Sequence, residues 1–201
     1  MNPIRRGRLW VAWLLLAAPA VVRGQDPARA SGGYWRRFAL GFASSILVHE
    51  AAHVGASLAM GSSPSFGFDR LRPTVYSGID AQREPHKQFL FSSAGLNAQS
   101  VLDELILDVP HERGSAFERG VLAGGIGTTA FYLTIGRWGY VSDVDFMART
   151  GALNKTQITL IYGTVAVLQT WRISRDARYA DFFIRPARDG SRLLVGTALS
   201  F

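Results

Sequence analysis

Cysteine is absent from the 201 residues. That excludes disulfides, thiolate metal ligands and cysteine nucleophiles together, so any metal site here must be built from histidine and carboxylate. Histidine is itself scarce, with four copies. Charged residues make up 18% of the chain, against about a quarter in ordinary soluble domains. No GxxxxGK[ST] loop occurs, which removes the sequence basis for an ATP-driven mechanism. There is no internal repeat and no long low-complexity segment, so solenoid architectures drop out. The length suits one domain without a second independent core.

Hydrophobic residues reach 48% and come in blocks rather than in a short repeating pattern. This favours a membrane protein with a lipid bilayer as partner. The net charge is +7, yet the arginines flank apolar runs, at 5–8, 36–37, 172–178 and 185–192. That placement fits anionic headgroups better than a nucleic-acid backbone, and no nucleic-acid partner is expected.

The chain opens with basic "MNPIRRGR" followed by "LWVAWLLLAAPAVV" at 9–22, the layout of a signal peptide or an N-terminal membrane anchor over 1–24. Four later apolar segments are candidate spans: 38–60, 89–109, 121–135 and 156–173. Segments 38–60 and 121–135 lack the polar face of an amphipathic surface helix. Between the first two lies an irregular connector, 61–88, whose "SPSFGFD" and "VYSG" alternate like short β-strands. The expected fold is therefore an all-α integral membrane bundle of about four to five transmembrane helices, with a short β-hairpin-like connector. The expected location is multi-pass in a membrane, the bacterial inner membrane in particular, with the embedded domain covering 25–201.

Within 38–60 stands "ILVHEAAHVGAS". His49 and His53 are four residues apart, so on a helix their rings leave one face and can meet a single ion. Glu50 is placed to act on a water at the same ion. This is the HExxH arrangement, in which two neutral imidazoles hold Zn²⁺ and the carboxylate serves as general base. Three ionisable groups inside one apolar segment are costly unless partnered, and a bound cation offsets that cost.

Catalytic zinc normally takes a third protein ligand. Asp143 and Asp145, in "YVSDVDFM", are candidates, and Asp143 is favoured because it opens an apolar-spaced run through Val144 and Met147. Glu104 is another, in "LDELILD", where Glu104 and Asp108 have ExxxD spacing.

These features resemble the site-2 protease family of intramembrane zinc metalloproteases. The resemblance begins with His49, Glu50 and His53 and continues with Gly61 closing their segment. "SFGFD" at 65–69 is similar to the family's strand after the motif helix. "SAGLNAQSVL" at 93–102 is similar to its GPxxN region, with Gly95 and Asn97 at corresponding places and Leu96 where the proline stands. An aspartate before a late span completes it, without the family's usual surrounding sequence. The resemblance implies a zinc endopeptidase that cuts a membrane-protein substrate in or near its membrane segment. It implies Glu50 as catalytic base, Gly95 and Asn97 near the substrate strand, and His49, His53 and Asp143 or Asp145 on the metal. Two alternatives stay open: a membrane-bound gluzincin-like peptidase cutting outside the bilayer with Glu104 as ligand, and a non-catalytic metal-binding membrane protein.

Overall fold

A computed structural model describes residues 32–69, 72–111, 114–139, 141–176, 178–179, 185–186 and 193–194. The expected leader at 1–24 lies outside them, as do 187–192 and 195–201.

Helix α1, Gly32–Ala59, runs unbroken because its sequence carries no proline. Gly61 stops it, with φ +75. There the N–H of Ser62 donates to the Ser57 carbonyl and that of Gly61 to the Leu58 carbonyl, each at 3.0 Å, the paired bonds of a Schellman terminus. A two-stranded antiparallel hairpin follows, β1 Ser65–Asp69 and β2 Arg72–Tyr76. Helix α2, Pro85–Asp108, starts with proline in its first turn and ends before Pro110. Helix α3, Ala116–Leu133, opens on a capping box between Ser115 and Glu118. After a short 3₁₀ turn, Gly136–Trp138, come α4, Asp143–Thr150, and α5, Lys155–Arg175, itself capped by Asn154 with Gln157. A two-residue pairing of β3, Arg185–Pro186, with β4, Leu193–Leu194, closes the described chain.

The four long helices form an up-down-up-down bundle. Helices α1 and α3 run parallel and nearly touch: a Cβ on Gly41 would stand 2.0 Å from the Phe117 carbonyl oxygen, and one on Gly120 would stand 2.1 Å from that of Phe38. Helix α2 runs antiparallel to α1, facing Ser45 with Gln99 and His53 with Phe91. Helix α5 runs parallel to α2, with contacts from Tyr162 to Asn97 and from Arg172 to Glu104 and Asp108. One apolar core gathers Leu96, Tyr132, Leu133, Val144, Met147 and Ile158; a second, at the other end, holds Leu107, Leu122, Ile173 and Tyr179. Each such side chain contributes about 1.5–3 kcal/mol on burial.

The architecture corrects two expectations. The protein is mostly helical and the hairpin follows the HExxH helix, but no described helix is long and apolar enough to cross a membrane. An integral bundle of transmembrane helices is therefore not supported, nor is a multi-pass location in a bacterial inner membrane. Polar residues lie within or directly beside each segment that looked like a span. His49, Glu50 and His53 interrupt the apolar run of α1, and α2 carries Gln88, Gln99, Asp103, Glu104 and Asp108. Helix α3 carries Glu118 and Arg119 in its first turn, ahead of 121–135, and α5 has Arg172 and Arg175 in its last. The apolar blocks are nonetheless real on the outside: Leu47, Leu58, Val101, Leu160 and Val167 are all exposed.

Candidate metal centre

Buried positions on α1 recur every fourth residue: Gly41, Ser45, His49, His53 and Ser57. This seam carries both motif histidines inward, at 1% and 3% exposure. Opposite them, α4 supplies Asp143. Ser142 caps that helix by accepting from the Asp145 N–H, and carboxylates in a first turn are favoured by the helix dipole. Val144 and Met147, both in the first core, pin α4 so that Asp143 faces the histidines.

Three atoms converge. His49 Nε2 lies 3.1 Å from Asp143 Oδ2 and 3.1 Å from His53 Nε2, and His53 Nε2 lies 3.4 Å from the same carboxylate oxygen. A tetrahedral ion with ligands at about 2.0–2.1 Å holds neighbouring ligands about 3.3 Å apart, so the spacing suits one. His49, His53 and Asp143 can thus hold a metal ion.

The outer nitrogens of both rings are engaged. His53 Nδ1 donates to the Phe91 carbonyl at 2.7 Å, and His49 Nδ1 to Gln99 Oε1 at 3.0 Å. Their Nε2 atoms therefore face each other and a carboxylate, an arrangement that calls for positive charge between them, carried by protons or by an ion. Burial opposes charge on His53, but the Asp143 carboxylate, the Phe91 carbonyl and Glu50 outweigh it and raise its pKa above 6.5. Burial would likewise raise the Asp143 carboxyl. Charge on His53 and hydrogen bonds from both imidazoles prevail and hold it well below the ordinary carboxylate range.

Aromatic rings complete the walls. His49 stacks on Tyr132, with centroids 5.2 Å apart and planes 15° apart, and His53 lies against Phe91 at 4.8 Å. Glu50, half-buried, lines two cavities of about 350 Å³ each. One is a cleft it shares with His53, Asp143, Phe146 and the β2 residues Thr74 and Val75. The other is an apolar pocket between α1 and α3, walled by Phe42, Ile46, Phe131 and Tyr132.

The other sequence candidates fall elsewhere. Asp145 pairs with Arg149 and Lys155, and Glu104 pairs with Arg172; neither joins the histidines. Gly95 lies beneath His49, where a Cβ would approach the imidazole to 2.5 Å. Asn97 is exposed and accepts from the Tyr162 hydroxyl at 2.9 Å. Burial, followed by the charge of Asp143, pushes that tyrosine's pKa up to about 12. Gln99, Tyr132 and Phe91 touch the histidines, although no local motif marks them in the sequence. The legible signal for Gln99 is the stripe Gln88, Ser92, Gly95, Gln99, Asp103, polar or small at helical spacing and buried throughout.

No protein-family model, curated protein or solved structure matches the chain. The resemblance to the site-2 proteases rests on the motif residues themselves.

Proposed function

We propose that the chain is a zinc-dependent hydrolase of peptide bonds, acting on a protein substrate presented as an extended strand. The observation that carries this reading is the convergence of His49, His53 and Asp143 beside Glu50 in a cleft. Two histidines with one carboxylate are a ligand set typical of catalytic zinc, which keeps a coordination position open. When bound, zinc supplies the Lewis acidity that activates water and polarises a carbonyl near neutral pH.

The chain's own residues do the rest. Glu50 takes the proton of the attacking water and returns it to the leaving amine. The Phe91 carbonyl and Gln99 keep the imidazoles aimed inward. Strand β2 contributes Thr74 and Val75 to the cleft, so a peptide laid there runs alongside a strand and can use main-chain hydrogen bonds.

The test compares wild type with Glu50→Gln, both loaded with zinc, on an unfolded protein substrate. Wild type is expected to cleave, and the variant to keep its zinc while losing cleavage. Equal cleavage by the two proteins, or zinc held by a wild type that cuts no peptide bond, would sink the proposal and leave a metal-binding protein.

A further inference from the structure

The donors and acceptors on the Nδ1 side of His49 can be assigned from one fixed point. The main-chain carbonyl of Ser45 can only accept. Gln99 is 1% exposed, and one end of its amide lies 3.1 Å from that carbonyl and 3.1 Å from Ser45 Oγ. The end facing Ser45 must therefore be the NH₂ group, which places Oε1 at the other end, 3.0 Å from His49 Nδ1. An amide oxygen only accepts, so Nδ1 must carry a proton, and Nε2, which faces Asp143 Oδ2 and His53 Nε2 at 3.1 Å each, is the nitrogen left to offer a lone pair to an ion. His53 reaches the same state directly, through the Phe91 carbonyl. His49 has no carbonyl at its Nδ1 and uses Gln99 as the intermediary.

We propose that Gln99, anchored by Ser45, is a positioning residue of the metal centre that locks His49 in its Nδ1–H tautomer and turns the Nε2 lone pair toward the ion. The inference rests on the metal-binding reading and is independent of peptide hydrolysis. Helix geometry supports it: Ser45 precedes His49 by one turn of α1, so the anchor and the ligand it orients share a rigid element. The requirement is also directional. An apolar residue at 99 leaves the Nδ1–H unmatched and removes the amide's donation to the Ser45 carbonyl and hydroxyl, whereas a glutamate still accepts from Nδ1 and gives up the donation to Ser45.

The experiment begins with metal-free wild type, ¹⁵N-labelled at histidine, in which two-bond ¹H–¹⁵N correlations report the tautomer of His49. A proton on Nδ1 is expected, and a His49 that carries its proton on Nε2 alone would overturn the proposal before any variant is made. Zinc affinity is then measured by chelator competition. Gln99→Leu should bind about 10–100-fold more weakly, the usual cost of losing an outer partner of a metal-bound histidine, and should lose the Nδ1–H preference. Gln99→Glu should keep both the tautomer and near-wild-type affinity, although its thermal stability falls with the lost bond to Ser45. A purely structural glutamine would give the reverse order, with affinity following thermal stability across the variants. Should wild type bind no zinc, the metal reading fails by itself, while the tautomer result still decides what Gln99 does to His49.

Discussion

His49 Nε2 and Asp143 Oδ2 stand 3.1 Å apart although 94 positions separate them in the chain. The contact joins the middle of α1 to the first residue of α4, and with His53 it defines where an ion can sit. Substitution of any one of the three should therefore abolish stoichiometric zinc. His49→Ala, His53→Ala and Asp143→Ala are expected to weaken binding well beyond the roughly 10–100-fold typical of an outer partner. Asp145→Ala and Glu104→Ala should keep one ion per chain, since their carboxylates pair with cations elsewhere. Elemental analysis of the dialysed proteins checks this. Loss of zinc in the Glu104 variant alone would move the site to the gluzincin pattern.

Metal binding should also stabilise the fold, because the ligands come from α1 and α4 and the ion ties the two helices together. With free zinc about 100-fold above the dissociation constant, linkage adds about 2.7 kcal/mol. For a chain of this size that corresponds to a rise in Tm of roughly 5–10 °C, reversed by a chelator. Thermal unfolding with and without zinc measures it. An unchanged Tm in a protein shown to bind zinc would mean that the ion also binds the unfolded chain or that the ligands are not brought together by folding.

Much of this centre could be read from the sequence because helical spacing is local. HExxH places two imidazoles on one face by geometry alone, and the run Asp143, Val144, Met147 carried enough periodicity to favour that aspartate over Asp145. The four long helices were legible for the same reason, and Gly61, which the resemblance placed at the close of the motif segment, is the terminator of α1. Membrane crossing does not follow from these segments, because apolar blocks record how much hydrophobic surface a helix has, not which way it points. On α1 the inward seam is Gly41, Ser45, His49, His53 and Ser57, while Leu40, Leu47 and Leu58 face outward. The same residues that build the polar interior lower the apolarity of each segment. For Gln99 the polar stripe of α2 marks an inward position, but its role depends on Ser45 and His49 of another helix, a tertiary relation that no spacing within α2 encodes.

Gly95 serves the site by what it lacks. An added Cβ would meet the Cε1, Nε2 and Nδ1 atoms of His49 at 2.5–2.6 Å, a ring confined between Tyr132 and the Gln99 hydrogen bond. Gly95→Ala should displace the imidazole even though alanine is the better helix former. The expected result is zinc affinity reduced at least 10-fold, on the order of an outer-partner loss, with the helix content of α2 intact. Chelator competition alongside far-ultraviolet circular dichroism separates the two effects. Unchanged affinity would show that His49 has room to shift without leaving the ion.

Asp103 gives the protein a pH dependence distinct from that of the metal ligands. Its side chain is 1% exposed, and Oδ1 has no hydrogen-bond partner among the described residues. A Cβ on Gly125 of α3 would come within 2.4 Å of Oδ2, so α3 packs directly against the carboxyl. Burial alone raises its pKa from 3.8 to about 8. Below pH 4 both folded and unfolded chains hold the proton, and Asp103 contributes no pH dependence. Between pH 4 and 8 the unfolded chain releases the proton and the folded one retains it, so stability falls as pH rises; above pH 8 the loss is complete. Each tenfold difference in proton affinity between the two states is worth about 1.4 kcal/mol, so the total reaches a few kcal/mol. Asp103→Asn, nearly identical in shape to the protonated acid, cannot ionise and should remove that slope. The variant is expected to be more stable than wild type at pH 8 and close to it at pH 4. Chemical unfolding of both proteins across this range yields a difference curve from which the histidines and Asp143 cancel, and a flat curve would show that the Asp103 carboxyl is hydrated or paired in solution.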